Sequence, residues 1–220
     1  MYKSTRCIAL TAALLVVSLG AFVSTPVVAQ SASLSGLLAT ASDNALDKLA
    51  KPGAFFADKA VRISLPGPLE KASGLLRLAG KSGLGKDLTK SLNDVAGLAA
   101  KEAKPIFRDA AEGISLKDGV DIASESDGAT QHFRKSSEDT LREKIRPLVE
   151  KAMSDTGALD QLDEISSIKS LSKLGISSDG MTDHVTGKTL DGIFKYMEAE
   201  ESKVRKNPLK ALGGVLGIKK

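Results

Sequence analysis

Apolar residues recur at intervals of three or four positions along most of this chain, which is the spacing of amphipathic helices. In the first such run they fall at Leu34, Leu37, Leu38, Ala41, Ala45, Leu46 and Leu49. One stretch differs, because Val61, Ile63 and Leu65 alternate with polar residues, and alternation is the period of an extended chain. The sequence therefore predicts an all-α fold with one extended segment.

This extended segment, Val61–Leu65, is called the strap below. Pro66 keeps Leu65 extended. Gly67 is expected as the N-cap of the next helix, and Pro68 suits its first position, where proline's missing N–H has no intrahelical partner. Because no second strand signal lies nearby, we expect the strap to cross the helices with its apolar side chains inward. The alternative is that it pairs with another strand, such as one from a second subunit.

Prolines, glycines and capping residues divide the helical pattern. Pro52 is expected to end the first helix, Gly80 to cap the helix after the strap, and Pro105 to break the run over 84–106. Further helices are expected to begin at Ser115, Asp127 and Ser136, with Pro147 inside the last of these, and to cover 158–171 and 182–206. In the final helix, Gly187 and Gly192 indicate close approach of another helix. The prediction is one domain of about seven to nine helices, with its core over 34–208 and a weak tail over 209–220.

The first 29 residues have the pattern of an export signal. Lys3 and Arg6 precede an apolar run of about 17 residues, and Val27 and Ala29 hold the −3 and −1 positions of a cleavage site before Gln30. We therefore predict a periplasmic protein, cleaved after Ala29, with no membrane span after processing. The alternative is an uncleaved anchor helix, because a run of about 17 residues approaches the length that crosses a bilayer.

The composition after this leader excludes several chemistries. The single cysteine, Cys7, lies in the leader, so the mature domain, residues 30–220, has no disulfide, thiol nucleophile or thiolate metal site. Two of the 31 basic residues, Lys3 and Arg6, also lie in the leader, so the others nearly balance the 27 acidic residues. Nucleic-acid binding requires a strongly basic surface, and we predict no nucleic-acid partner.

The sequence contains no recognisable catalytic or metal-binding set. His132 and His184 lie on separate predicted helices without paired ligand spacing. Asp183 would point about 100° away from His184 on a helix, so the two do not form an obvious base and orienting acid. The run Gly80–Asp87 has the spacing of part of a phosphate-binding loop, but Asp87 replaces the Ser or Thr that would hold magnesium. We predict no catalytic residue, no metal site and no cofactor.

Four residues are candidates for binding a ligand or partner: Phe133, Arg134, Glu201 and Arg205. Phe133 is expected in the core, which places Arg134 at the core boundary, where it pairs with a carboxylate or clamps an anionic ligand. Near the end of the last helix, Glu201 faces Arg205 at i, i+4 spacing. That pair belongs either to a solvated helix end or to a polar cluster that Arg205 completes with an acid from another helix.

Four blocks stand in the chain in this order: KPGAFFADKAVRISLPGPL, ATQHFRKSSEDTL, IRPLVEKAM and VTGKTLDGIFKYMEAEESKVRKNP. Together they resemble the bacterial family called domain of unknown function 4197, over about Leu34 to Pro208. The resemblance implies an exported, mostly helical protein of a Gram-negative bacterium. It transfers no catalytic residue, because the activity of the family is not established. Its motif positions are Pro66, Gly67, Pro68, Thr130, Phe133, Arg134, Gly192, Phe194, Glu201, Arg205 and Pro208.

Three hypotheses about function follow. The first is an interaction or scaffold module for an envelope protein, which docks on an exposed apolar groove or on the strap. The second is a carrier of a small apolar ligand or lipid, in a pocket opened by Pro105 and Pro147. The third is a hydrolase-like enzyme, which requires Arg134, the Glu201–Arg205 pair and His184 to converge around a cleft. The sequence favours the two binding hypotheses, because it lacks a nucleophile–base set.

Overall fold

The chain folds into helices joined by short connections. The structure, a computed structural model, describes residues 27–81, 83–114, 126–168 and 177–206. These ranges contain nine α-helices and no β-strand. In chain order the helices are α1 (Val27–Leu49), α2 (Ala54–Ala57), α3 (Gly67–Lys71), α4 (Ser73–Leu78), α5 (Leu84–Glu102), α6 (Lys104–Glu112), α7 (Gly128–Asp155), α8 (Ala158–Ser166) and α9 (Ser178–Lys206). The prediction of an all-α fold with seven to nine helices is confirmed.

The residues that define the helical spacing form the core. α1 and α7 pack along α9, while α5 packs against α7 and α6 against α1. Leucines fill the interior, and buried alanines such as Ala41 and Ala45 let neighbouring helices approach closely. The rings of Phe107, Phe133 and Phe194 meet edge to face, with centroids 5.9 to 6.1 Å apart, as aromatic pairs prefer. This ring cluster joins α6, α7 and α9.

Two helix ends lie where prolines predict them. α1 ends at Leu49, shortly before Pro52. Ala103 separates α5 from α6, and Pro105 lies in the first turn of α6. Its missing N–H costs no helical hydrogen bond there, so the break at this proline is confirmed.

Gly80 ends α4 in the way that its sequence position predicts. It has a φ of 73°, a left-handed conformation that glycine adopts without a steric penalty. The N–H of Gly80 donates to the carbonyl of Arg77 at 3.1 Å, and the N–H of Lys81 donates to that of Leu76 at 2.8 Å. These two bonds form a Schellman motif, which stops the helix sharply.

The prediction for the segment after the strap is wrong in two details. The segment forms two short helices, α3 and α4, which meet at Ala72. Gly67 is the first residue of α3 rather than its N-cap, which is Pro66, and Pro68 is the second helical residue. The difference is one residue at the boundary, because the two prolines fix the entry into the helix in either case.

The prediction of two helices over 128–155 is also wrong, because α7 runs unbroken for 28 residues. Ser136 was expected to begin the second helix, but its hydroxyl donates to the carbonyl of His132, one turn earlier, at 2.9 Å. Pro147 lies inside α7, where it removes one backbone hydrogen bond. The apolar face that α7 packs against α5 and α9 keeps the helix continuous across both positions.

The strap is neither helix nor strand and crosses α5 and α9, as predicted. Its apolar residues are buried or half-buried, and its polar residues face solvent. Asn93 of α5 takes the place of a neighbouring strand. Its Oδ1 accepts a hydrogen bond from the N–H of Ile63 at 2.9 Å, and its Nδ2 donates to the carbonyl of Ile63 at 2.8 Å. One side-chain amide thus satisfies both backbone groups of a buried residue.

Several predictions concern parts of the chain outside the described residues. These are the short helix expected from Ser115, the tail over 209–220 and most of the leader, although α1 begins at Val27 and so includes the last three residues of the leader. Within the described ranges, no helix combines the length and the apolar character that a bilayer crossing requires.

Candidate functional site

The candidate residues from the sequence lie in three separate places. Glu201 and Arg205 pair near the end of α9, and Glu201 contacts the start of α7. Arg134 lies on α7 and contacts the middle of α9. His184, near the start of α9, places its Nε2 3.0 Å from the backbone carbonyl oxygen of Ser64 in the strap. These side chains therefore do not form the common cleft that the hydrolase hypothesis requires.

Glu201 is fully buried and caps the first turn of α7. Its Oε1 accepts from the N–H of Ala129 at 3.1 Å, and its Oε2 accepts from the N–H of Thr130 at 2.7 Å. Asp127 holds the N-cap position, but its own side chain makes no capping hydrogen bond. A carboxylate from α9 therefore satisfies backbone donors that α7 cannot satisfy itself, at the helix end where the dipole favours an anion.

Arg205 pairs with Glu201 at the predicted i, i+4 spacing. Its Nη2 and Nε lie 2.7 and 2.8 Å from Glu201 Oε1. Because Glu201 has no exposed surface, the interpretation of this pair as a solvated helix end is wrong. The neighbouring Glu200 pairs with Lys48 of α1 and Lys203. Burial raises the pKa of Glu200, but hydrogen bonds from these lysines bring it below its usual value. The end of α9 thus joins α1 and α7.

Arg134 lies at the core boundary, as predicted, because Phe133 is fully buried. Its Nε donates to Glu138 at 3.0 Å, and its Nη2 donates to Asp191 at 2.6 Å. The guanidinium carbon lies 5.2 Å from the centre of the Phe194 ring, within cation–π range. The bond to Glu138 contributes most to raising the pKa of Arg134. The guanidinium is thus held in one orientation while 31% of the side chain stays exposed.

Phe133 and Gly192 serve packing in this structure. Phe133 belongs to the ring cluster and is buried from any ligand. A Cβ on Gly192 would lie 2.7 Å from Cε1 of Phe55 and 3.4 Å from Cβ of Val61. Gly192 therefore allows close approach, as predicted, by the short helix α2 and the strap. At Gly187 a Cβ would meet the end of the Arg142 side chain at 3.1 Å.

A polar cleft of about 450 Å³, called the basic cleft below, lies between the strap and α9. Its lining includes Arg62 of the strap, Arg134 of α7, and Lys188, Asp191, Lys195 and Glu198 of α9. The four residues from α9 recur at i, i+3, i+7 and i+10, which places them on one stripe of the helix. The sequence analysis did not predict this stripe, because none of its residues stands out individually. The helical spacing of the four charged residues is the pattern that indicates it.

A second cavity of about 500 Å³, called the leucine groove below, lies between the strap and α3–α5. Its lining includes Phe56, Leu65, Leu69, Leu76, Gly85 and Thr89, and it shares Arg62 and Ser64 with the basic cleft. Next to Leu76 on α4, Leu75 and Leu78 are 39% and 82% exposed. Neither of these two leucines lines the groove. They stand three positions apart, which places them on one face of α4, and exposed apolar side chains that lie together are a feature of docking surfaces.

Comparison with known proteins assigns a family to this chain. The family model described as a protein of unknown function, DUF4197, matches residues 27–217. The chain belongs to this family. No curated protein and no solved structure matches it. Of the motif positions inferred from the DUF4197 resemblance, Glu201, Arg205 and Phe133 hold helices together, whereas Arg134 and Gly192 also line the basic cleft.

Proposed function

We propose that this DUF4197 protein is exported to the periplasm by cleavage after Ala29 and acts there as a protein-interaction module. The charged and apolar pattern of residues 1–29 supports export. The separation of Arg134, Glu201 and His184 into three sets of contacts supports binding rather than hydrolysis, since hydrolysis needs a convergent set.

The observation that carries the proposal is the exposure of Leu75 and Leu78 on α4, the helix that also contributes Leu76 to the leucine groove. Leu78 is 82% exposed, and exposing a leucine forgoes roughly 1.5–3 kcal/mol of burial free energy. The groove is lined by Leu65, Leu69 and Leu76. A partner segment that presents two or three large apolar side chains, such as an amphipathic helix, would bury Leu75 and Leu78.

Site-specific photo-crosslinking in intact cells tests the proposal. A photoreactive residue is placed at Leu78, and a matched one at Leu98, which is 44% exposed on α5. We expect a discrete protein adduct from position 78, which disappears when Leu75 is changed to Ser. Adducts absent from position 78, or identical at both positions, would contradict the interaction module.

The alternative function is a carrier of a small apolar ligand or lipid, and the volume of the leucine groove favours it. A cavity of about 500 Å³ lies within the usual range for small-molecule sites. Its position differs from the predicted one, because the cavity beside Pro147, lined by Leu98, Leu148 and Ala152, holds only about 40 Å³. Native mass spectrometry of protein purified from its own envelope tests this alternative. A bound apolar mass would support the carrier, and a clean apo mass would count against it.

A further inference from the structure

The basic cleft carries positive charge that its own carboxylates do not neutralise. Its lining holds four cations, Arg62, Arg134, Lys188 and Lys195, and two carboxylates, Asp191 and Glu198. Glu138 also pairs with Arg134, but it lies within ion-pair distance of Arg142 as well. Concave surfaces with an excess of one charge concentrate ligands of the opposite charge. The cleft thus favours an anion over a cation or a neutral molecule.

Arg134 is oriented before any ligand arrives. Its bonds to Glu138 and Asp191, and the Phe194 ring beneath it, fix the guanidinium plane. A binding group that is already ordered loses little conformational entropy on association. A planar guanidinium also matches the oxygen geometry of phosphate and carboxylate groups.

The two lysines of the cleft have weak partners in this structure. Lys188 Nζ lies 3.3 Å from Asp191 Oδ2, and Lys195 Nζ lies 3.4 Å from the carbonyl oxygen of Ala60. Both distances exceed the range of about 2.7–3.2 Å that is typical of N–H···O hydrogen bonds. An anionic oxygen would therefore give each ammonium a shorter and stronger contact.

We propose that the basic cleft binds a dianionic phosphate group, held by the two lysines and by the edge of the Arg134 guanidinium. Two negative charges match the charge excess of the lining. This site adjoins the leucine groove of the proposed function, with which it shares Arg62 and Ser64, but it does not depend on that groove binding a protein.

The phosphate group has two possible sources, which the fold helps to distinguish. It belongs either to a small soluble molecule or to an amphiphile whose chain extends over the strap into the leucine groove. Arg62 and Ser64 line both cavities, so a chain leaving the cleft at these residues would enter the leucine groove. Pyrophosphate represents the first source, and decyl phosphate represents the second.

Isothermal titration calorimetry at low ionic strength tests the proposal on the purified protein. We expect pyrophosphate and decyl phosphate to bind, and decanol, which lacks the charged group, to bind at least tenfold more weakly than decyl phosphate. The double variant Lys188→Gln/Lys195→Gln should bind both phosphate compounds at least tenfold more weakly. Each compound loses its charged contacts with the two lysines. The matched control is Lys90→Gln/Lys151→Gln, which removes two exposed cations paired at i, i+4 elsewhere and should leave binding unchanged.

A groove-filling variant distinguishes the sources. Gly85 lines the leucine groove, and a Cβ there would lie 3.3 Å from Leu76 Cδ1 and 3.7 Å from Leu65 Cδ1. If Gly85→Leu weakens decyl phosphate but not pyrophosphate, the phosphate belongs to an amphiphile; if it weakens neither, the ligand is a soluble phosphate. A thermal melt of each variant confirms that it folds. The proposal is overturned if neither phosphate binds at millimolar concentration, if the control variant loses as much affinity, or if decanol binds as tightly as decyl phosphate.

Discussion

Two arginine–carboxylate clusters on α7 and α9 use the same residue types in different surroundings. In the first, Glu201 has no exposed surface and accepts backbone N–H groups as well as Arg205. In the second, Arg134 pairs with Glu138 and with Asp191, whose side chain is 44% exposed. A buried ion pair is costly to break, whereas an exposed one contributes little to stability and leaves its charges accessible. Burial thus assigns the first cluster to folding, whereas the second keeps its charges accessible to the phosphate ligand that we propose.

The largest effect is expected at Glu201. Glu201→Ala leaves the N–H groups of Ala129 and Thr130 and the charge of Arg205 without this carboxylate, and should lower the free energy of unfolding by about 3 kcal/mol. Glu198→Ala, one turn earlier on α9, is the control and should cost less than about 1 kcal/mol. Urea denaturation measures both. Equal losses in the two variants would remove the distinction between the clusters.

Asn93 tests whether a buried polar contact between uncharged groups also contributes more to stability than an exposed one. Asn93→Ala removes the partner of both backbone groups of Ile63 and should cost about 2 kcal/mol. Asn44→Ala changes an exposed asparagine of α1 and should cost less than about 0.5 kcal/mol, as most surface substitutions do. Urea denaturation again gives the comparison. A loss at Asn93 no larger than that at Asn44 would mean that the strap does not depend on this amide.

A smaller effect on stability is expected in the exposed cluster. Arg134→Gln should change the free energy of unfolding by less than about 1 kcal/mol, because partly exposed ion pairs are screened by water. The same variant should weaken pyrophosphate binding about tenfold, since it loses a charged contact. Denaturation and calorimetry on one sample measure both quantities. A variant that unfolds readily would place Arg134 with the structural cluster instead.

The smallest effect is expected in the dependence of stability on pH. Burial raises the pKa of Asp191, but hydrogen bonds from Arg134 and Lys188 lower it more, so that it lies below its ordinary value of 3.8. A carboxyl whose pKa is lower in the folded state stabilises the fold above its unfolded pKa and loses that contribution as pH falls through its folded pKa. Asp191→Asn should therefore differ from the natural protein at pH 6, and the difference should shrink as the pH falls below 3.8.

Glu198 provides the opposite case for the same denaturation series. Burial, with the nearby Asp127, raises the pKa of Glu198 above its usual 4.5. A raised carboxyl pKa means that the folded state binds the proton more tightly, so this group favours folding as pH falls. Glu198→Gln should thus change the pH dependence with the sign opposite to Asp191→Asn. The same sign for both variants would contradict the assigned shifts.

Local signals in the sequence predicted a good part of this fold. Pro105 and Gly80 change the backbone only within the adjacent turn of helix. The sequence therefore predicts the break before α6 and the end of α4. Arg134 was placed at the core boundary by its neighbour Phe133, and the pairing of Glu201 with Arg205 followed from helical spacing. Each of these depends on residues within about four positions of each other.

Contacts between distant residues were not predicted. Nothing near Asn93 shows that its amide meets Ile63, 30 residues earlier, and nothing near Glu201 shows that it caps a helix that begins more than 70 residues before it. The position of Glu201 is one indication of such a contact. A carboxylate near the C-terminal end of a helix interacts unfavourably with the helix dipole, so it is expected to have a stabilising partner. The two-helix prediction for α7 failed because Ser136 resembles a cap in sequence but bonds within its own helix.

The way in which Asn93 engages the strap has a consequence for the behaviour of this protein at high concentration. Alternating apolar residues in an extended segment are a template on which another chain can add and start an aggregate. At Ile63 the amide occupies the donor and the acceptor that an incoming chain would need. The protein thus keeps an extended apolar segment without presenting, at this residue, the hydrogen-bonding edge from which fibrils grow.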